Sequence, residues 1–166
     1  RKYKMILEDD FVFNKKTDIV KLYKLLQNKP KIGVLGGKVV TRGVNMNFEF
    51  KLVKNGDILT QTSDGDHYQE KNGVKFKITD SVMNFFLARR EVFDDILWDY
   101  EIKIRGEHTD FFLRLKDTKW QVGFCPDIKI DHSQNSNSEY KAMKKRGSQF
   151  FYIFFKKKKK KKYKYL

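Results

Sequence analysis

Near the amino end of the 166-residue chain, the stretch "KMILEDDFVF" (Lys4 to Phe13) interrupts an apolar run with three consecutive carboxylates, Glu8, Asp9 and Asp10. Two acids separated by one residue can offer oxygens to a single hard cation such as Mg²⁺ or Mn²⁺, and Glu8 and Asp10 have that spacing. Asp9 then points elsewhere. A cation held there would bridge to phosphate oxygens and neutralise charge on a diphosphate leaving group. The bland alternative is a solvated acidic loop. The flanks Met5-Ile6-Leu7 and Phe11-Val12-Phe13 argue against it, because a surface turn is not normally sandwiched between two apolar runs.

A second candidate is "RGEHTDFFLR". On a helix, Glu107, Asp110 and Arg114 fall at i, i+3 and i+7 and share a face. Asp110 and Arg114 could be no more than a surface ion pair. Against that, two acids and His108 crowd the first turn after a glycine, where the helix dipole favours an ionised carboxylate. A general base beside an acceptor hydroxyl needs such a placement. The third candidate is "IKIDHSQ", in which Asp131 and His132 follow an alternating strand. A lone histidine is more often structural than a ligand, and His67 in "DGDHYQ" reads as exposed. No Walker loop, G-x-S-x-G, dinucleotide glycine fingerprint or zinc spacing is found.

These residues need elements to position them. "YKMIL" reads as a short buried strand whose carboxyl end carries the acids, the place where α/β sheets bind ligands. Thr17 is the expected N-cap of a helix to about Gln27, with Ile19, Leu22, Tyr23 and Leu26 as its buried stripe. "KIGVLGGKVV" follows as a strand, completing the strand–helix–strand unit of a parallel sheet. "MNFEFKLV", "DILTQT" and "VKFKI", separated by Asn55-Gly56-Asp57 and Asp64-Gly65-Asp66, predict an antiparallel hairpin excursion. "SVMNFFLARR" reads as another buried strand, "REVFDDI" and "GEHTDFFLRLKD" as helices, and "WQVGFCPDIKIDH" as two short strands around Cys125-Pro126. The fold class is therefore α/β.

Composition (40% hydrophobic, 34% charged, 15 Phe and 8 Tyr) suits one globular domain with a real core. The single cysteine, Cys125, excludes an internal disulfide and a Cys-rich zinc site. No apolar run reaches the ~18 residues of a membrane span, and no signal peptide is visible. The chain opens inside a strand-like segment, so an amino-terminal portion is expected to precede it. The formal charge is +15, but Lys156 to Lys162 and Lys164 account for eight of those charges. Residues 151–166 are expected to form a lysine-rich low-complexity tail, solvated beyond about 156, behind a catalytic domain at 1–150, with the apolar Phe150–Phe155 cluster still able to dock on the core. A polyanion-binding module is the rival class, yet no recognition helix or aromatic-basic sheet motif marks a specific nucleic-acid reader.

Taken in order, "ILEDDFVF", "ITDSVMNFFLARREVF" and "GEHTDFFLRLKD…VGFCPDIKIDHS" resemble the catalytic region of the β-1,4-N-acetylgalactosaminyltransferases, from about Met5 to about His132. The resemblance implies a partial GT-A fold, a Rossmann-like mixed sheet flanked by helices. It implies an inverting transfer of a sugar, N-acetylgalactosamine, from a UDP-sugar donor to a glycan or glycolipid acceptor. It also implies Mn²⁺ or Mg²⁺ as cofactor and a Golgi-lumen enzyme anchored through its missing amino-terminal segment. Carried over residue by residue, Asp10 is the surest metal ligand, with Glu8 (in place of the usual aspartate) and His132 beside it. Asp110 is the expected base and Glu107 the alternative. Asp9, Asp80, Asn84 and His108 would contact substrate. Two features depart from the family: the uridine-binding strands that precede its acidic motif are absent, and the lysine tail has no counterpart. A transferase-like domain that has lost catalysis and serves as an interaction surface is a further alternative.

Overall fold

The computed structural model describes residues 1–46, 48–63, 65–133, 138–159 and 162–165. Asp64 of the second expected turn and Lys160, Lys161 and Leu166 of the tail lie outside the described residues. The chain runs β1 (Tyr3–Ile6), β2 (Phe11–Val12), α1 (Ile19–Asn28), β3 (Ile32–Thr41), β4 (Val44–Met46), β5 (Phe50–Asn55), β6 (Ile58–Ser63), β7 (Gln69–Lys71) and β8 (Val74–Thr79). It continues through β9 (Phe86–Arg89), α2 (Val92–Asp95), α3 (Glu107–Leu115), β10 (Gln121–His132), α4 (Ser138–Lys158) and β11 (Lys162–Tyr165).

One mixed sheet has the order β1-β9-β3-β10-β8-β7, with β2 on β10 and β4 on β3. β1 and β3 both lie antiparallel to β9, and β10 is parallel to β3. Strands β1, β3 and β10 therefore point the same way and deliver their carboxyl ends to one edge. The strand–helix–strand unit expected from the sequence is present, with β9 inserted between its two strands. β9 and β3 read as unbroken apolar runs because both of their faces are covered. Val34, Phe86 and Ala88 face one cluster, with Phe111 and Phe112 of α3, while Leu35 and Leu87 face another, with Leu22, Leu25 and Leu26 of α1. The first expected hairpin forms; the second, across Asp64-Gly65-Asp66, does not, because β6 pairs with β5 and β11 while β8 pairs with β10 and β7. β5 and β6 pair antiparallel across Gly56, and β7 and β8 join through Asn72-Gly73, both at positive φ as a two-residue hairpin turn requires.

Four local expectations are corrected. Helix α1 is capped by Asp18, whose side chain accepts from Lys21 N, while Thr17 Oγ1 donates to Lys129 O and ties the loop to β10. Its buried stripe is Leu22, Leu25 and Leu26; Tyr23 is exposed because its edge meets Tyr3 rather than the core. Segment 121–132 is one strand, not two. Cys125 pairs with Gly37 and Lys129 with Lys38, so residues 126–128 bulge out without ending β10. Gly37 is what lets the bulge close, since a Cβ there would lie 2.6 Å from Ile128 O and 2.3 Å from Phe85 Cε1. Finally, α4 crosses position 150 and continues to Lys158, with Phe154 fully buried, and β11 pairs parallel with β6. Burying a phenylalanine is worth ~2 kcal/mol, which explains why "FFYIFF" draws the start of the lysine run onto the domain.

Candidate active site at the carboxyl edge of the parallel strands

The acids follow β1 directly, in a turn closed by Phe11 N donating to Glu8 O at 3.4 Å. Directly after Asp10, β2 pairs with the end of β10, Asp131 opposite Val12 and His132 opposite Phe11. Ser133 N also donates to Asp10 O at 2.9 Å. That pairing brings together groups 122 residues apart: Asp10 Oδ2 lies 2.8 Å from His132 Nε2. The other ring nitrogen, Nδ1, lies 2.9 Å from Thr41 Oγ1 at the end of β3. The imidazole is thus held at both nitrogens, with Phe11 edge-on to it.

Glu8 turns the other way. Asn84 Nδ2 donates to its Oε1 at 2.5 Å, and His108 Nε2 lies 3.9 Å from the same oxygen. His108 Nε2 is also 3.6 Å from Glu107 Oε1. Asn84 reaches this cluster because it lies two residues before the start of β9, whose first residue, Phe86, pairs with Ile6 at the end of β1. Glu107 and His108 reach it as the first two residues of α3. Three atoms here are buried without a hydrogen-bond partner: Asn84 Oδ1, Glu107 Oε2 and His108 Nδ1. Buried polar atoms are seldom left so, and a carboxylate, an amide carbonyl and an imidazole nitrogen together suit a polyhydroxylated ligand.

The remaining expected residues are placed elsewhere. Asp9 is exposed. Asp80 is a structural anchor: Leu52 N donates to its Oδ2 at 2.8 Å and Lys116 Nζ at 2.5 Å, which ties β5 to the end of α3. Asp110 is fully buried, with Arg114 Nε 2.8 Å from Oδ2 and Lys158 Nζ 2.6 Å from Oδ1. The Lys158 contact is not aligned as a hydrogen bond, so it acts as an ion pair. The acidic flanks also differ from expectation, since Leu7, Val12 and Phe13 are exposed. Cys125 is not a nucleophile: burial, then Asp127, pushes its thiol up to about 12. Sequence reasoning missed Thr41 and Lys158. Thr41 carries a signal only once β3 is known to adjoin β10, and Lys158 carries none inside a lysine run.

The donor set of Asp10 and His132 suits a divalent cation. Ligands on adjacent corners of an octahedron with ~2.1 Å bonds lie about 3 Å apart, close to the 2.8 Å between these two atoms. One oxygen and one imidazole nitrogen favour Mn²⁺ over Mg²⁺. With Nε2 given to a cation, Nδ1–H would donate to Thr41 and fix the ring. No group of three metal-ligating side chains occurs among the described residues, so the pair would share an ion with ligands from outside this set.

No family model matches the chain. It is 31% identical over 139 residues to β-1,4 N-acetylgalactosaminyltransferase 1 of Rattus norvegicus and 30% identical over 139 residues to that of Homo sapiens. It is 33% identical over 132 residues to β-1,4 N-acetylgalactosaminyltransferase 2 of Mus musculus. These matches take in 79–80% of this chain, which spans about a quarter (25%) of the length of each of the three relatives. With the α/β mixed sheet, its flanking helices and the acidic turn in place, the chain is homologous over about four fifths of its length to a quarter-length stretch of the β-1,4 N-acetylgalactosaminyltransferases.

Proposed function

We propose that this chain is the metal- and acceptor-binding part of an inverting glycosyltransferase that moves N-acetylgalactosamine from a UDP-sugar to a hydroxyl of a glycan or glycolipid. The observation that carries the reading is the meeting of Asp10 and His132 at 2.8 Å, within the acidic turn and beside the Glu8–Asn84–His108–Glu107 cluster. Asp10 and His132 would hold Mn²⁺, which when bound neutralises the diphosphate as the sugar leaves. Thr41 orients His132. Glu107, with one buried unpartnered oxygen, is the group we assign as general base, taking the proton of the acceptor hydroxyl as it attacks the anomeric carbon. His108 and Asn84 hold the hydroxyls next to the reacting centre, and Glu8 fixes the Asn84 amide. Inversion needs no covalent enzyme intermediate, only alignment and an activated nucleophile. In the whole protein the family reading carries a Golgi-lumen setting behind an amino-terminal anchor. Among the described residues no helix is long and apolar enough to cross a membrane.

The polyanion-binding alternative gains little from the geometry. Lys157 and Lys158, inside the lysine run, already pair with Asp99, Glu101 and Asp110.

Calorimetry with UDP in the presence and absence of Mn²⁺ tests the metal assignment. Asp10→Asn and His132→Ala should each abolish Mn²⁺-dependent UDP binding, while Glu107→Gln should retain it and lose transfer. Mn²⁺-dependent UDP binding that survives in Asp10→Asn would refute the site.

A further inference from the structure

The turn that leads into Glu107 is built on unfavourable backbone. Ile104 has φ 67° and Gly106 φ 91°. A β-branched residue at positive φ is a genuine outlier that persists only when its surroundings over-determine it. Helix α4 supplies those surroundings. A Cβ on Gly106 would lie 3.2 Å from Phe154 Cβ and 3.3 Å from Phe151 Cδ2, so the aromatic face of α4 rests directly on the turn. Further back, a Cβ on Gly147 would meet Arg105 Cδ at 2.9 Å and Ile104 Cγ2 at 3.4 Å, so the helix backbone itself lies against the first two residues of the turn.

The charges repeat the pattern. Lys157 Nζ lies 2.7 Å from Asp99 Oδ2 and also pairs with Glu101, on the segment that precedes the turn. Those acids hold the Lys157 ammonium well above its usual range. Burial alone would raise Asp99, but Lys157 and the Glu101 backbone N–H hold it below the ordinary carboxylate value. Lys158 reaches past the turn to Asp110 Oδ1, in the first turn of α3 itself. One helix end therefore grips the approach, the turn and the start of the helix that carries Glu107 and His108.

We propose that the carboxyl-terminal segment Phe151–Lys158 is a positioning element for Glu107 and His108, acting through the strained Ile104–Gly106 turn and through Asp110. Asp110 and Lys158 are then positioning residues, touching neither donor nor acceptor. The inference rests on the reading of Glu107 as the base, but its mechanical part can be measured separately. The test compares Lys158→Met, Lys158→Arg and Lys156→Met in the full chain, Lys156 being an exposed residue of the same run. Two readouts are taken: the His108 ring resonances by NMR, and UDP release from UDP-N-acetylgalactosamine with Mn²⁺.

Lys158→Met should shift and broaden the His108 resonances and lower kcat by roughly ten- to a hundredfold, the loss expected from misplacing a reacting group by about 1 Å. KM for the donor should stay constant. Lys158→Arg should restore both readouts, and Lys156→Met should change neither. Unchanged His108 resonances in Lys158→Met would overturn the proposal, as would shifted resonances with an unchanged kcat. If no form of the protein releases UDP, the assignment of Glu107 as base fails, while the His108 resonances still decide whether the segment positions the helix.

Discussion

Replacing Asp110 and Glu107 in parallel separates two carboxylates that sit three residues apart and do different work. Asp110 is 0% exposed and bracketed by Arg114 and Lys158. Asp110→Asn leaves two cations facing a neutral amide. Breaking a buried ion pair by removing one partner costs ~3–5 kcal/mol. The Arg114 and Lys158 side chains are 29% and 20% exposed and can recover some hydration, which puts the loss at about 3 kcal/mol. For a domain of this size that is roughly 6–12 °C in Tm. Glu107→Gln removes a partly exposed acid with one weak contact, to His108 at 3.6 Å, and should leave Tm nearly unchanged. Its effect should fall on the rate, by about 10²- to 10⁴-fold, and should remove the acid limb of the pH–rate profile. Asp110→Asn should keep that limb, with at most the partial loss of kcat that comes from a displaced α3. Thermal melts followed by circular dichroism, with UDP release measured across pH, give both numbers. An Asp110→Asn variant that melts like the parent yet has lost turnover and the acid limb would make Asp110 the base and refute the assignment of Glu107.

Two further predictions concern the frame of the site. Cys125 should resist thiol reagents in the native state, and the folded form should lose stability from pH 9 upward to about 12. Across that window the native thiol keeps its proton while the unfolded one releases it, so the slope of stability against pH is negative; Cys125→Ala should flatten the slope, and pH-dependent melts check it. Tyr68, raised to about 12 by burial and then by Asp66 and Glu49, adds to the same alkaline loss and should keep part of the slope in that variant. Gly37→Ala should destabilise by ~1–3 kcal/mol through overpacking, because the new methyl meets the Ile128 carbonyl as well as a movable ring; denaturant titration measures it.

The sequence carries much of this fold because its signals are local. The apolar runs that become β3 and β9, the Asn55-Gly56 turn of β5–β6 and the helix α3 follow from periodicity and turn chemistry. The site is less legible because its contacts are not local. Nothing in "LEDDF" tells which way each carboxylate turns; that is settled by β2 pairing with β10 and by Asn84 arriving before β9. Spacing alone put Glu8 and Asp10 on one ion, whereas the turn directs one toward Asn84 and the other toward His132. Asp110 is the sharper lesson. Its i, i+4 partner Arg114 was visible, but its burial depends on a helix end lying in a lysine run that composition alone marks as solvated.

The bulge in β10 sets a rule about chain length rather than chain identity. Residues 126–128 are extra beside a continuous β3, and the strand resumes its pairing at Lys129. Successive strand residues alternate faces, so gaining one residue in this stretch would present Asp131 where His132 now stands. The ladder could re-form only with Lys129 in the buried place of Ile130, and Asp10 would face another acid instead of an imidazole. Point substitutions at positions 126 and 127 are therefore open to drift, while Ile128 is held by its burial and a one-residue insertion or deletion in the bulge is forbidden to any copy that keeps the Asp10–His132 pair. In a set of functioning relatives, the spacing between the cysteine and the histidine should vary less than the residues that fill it.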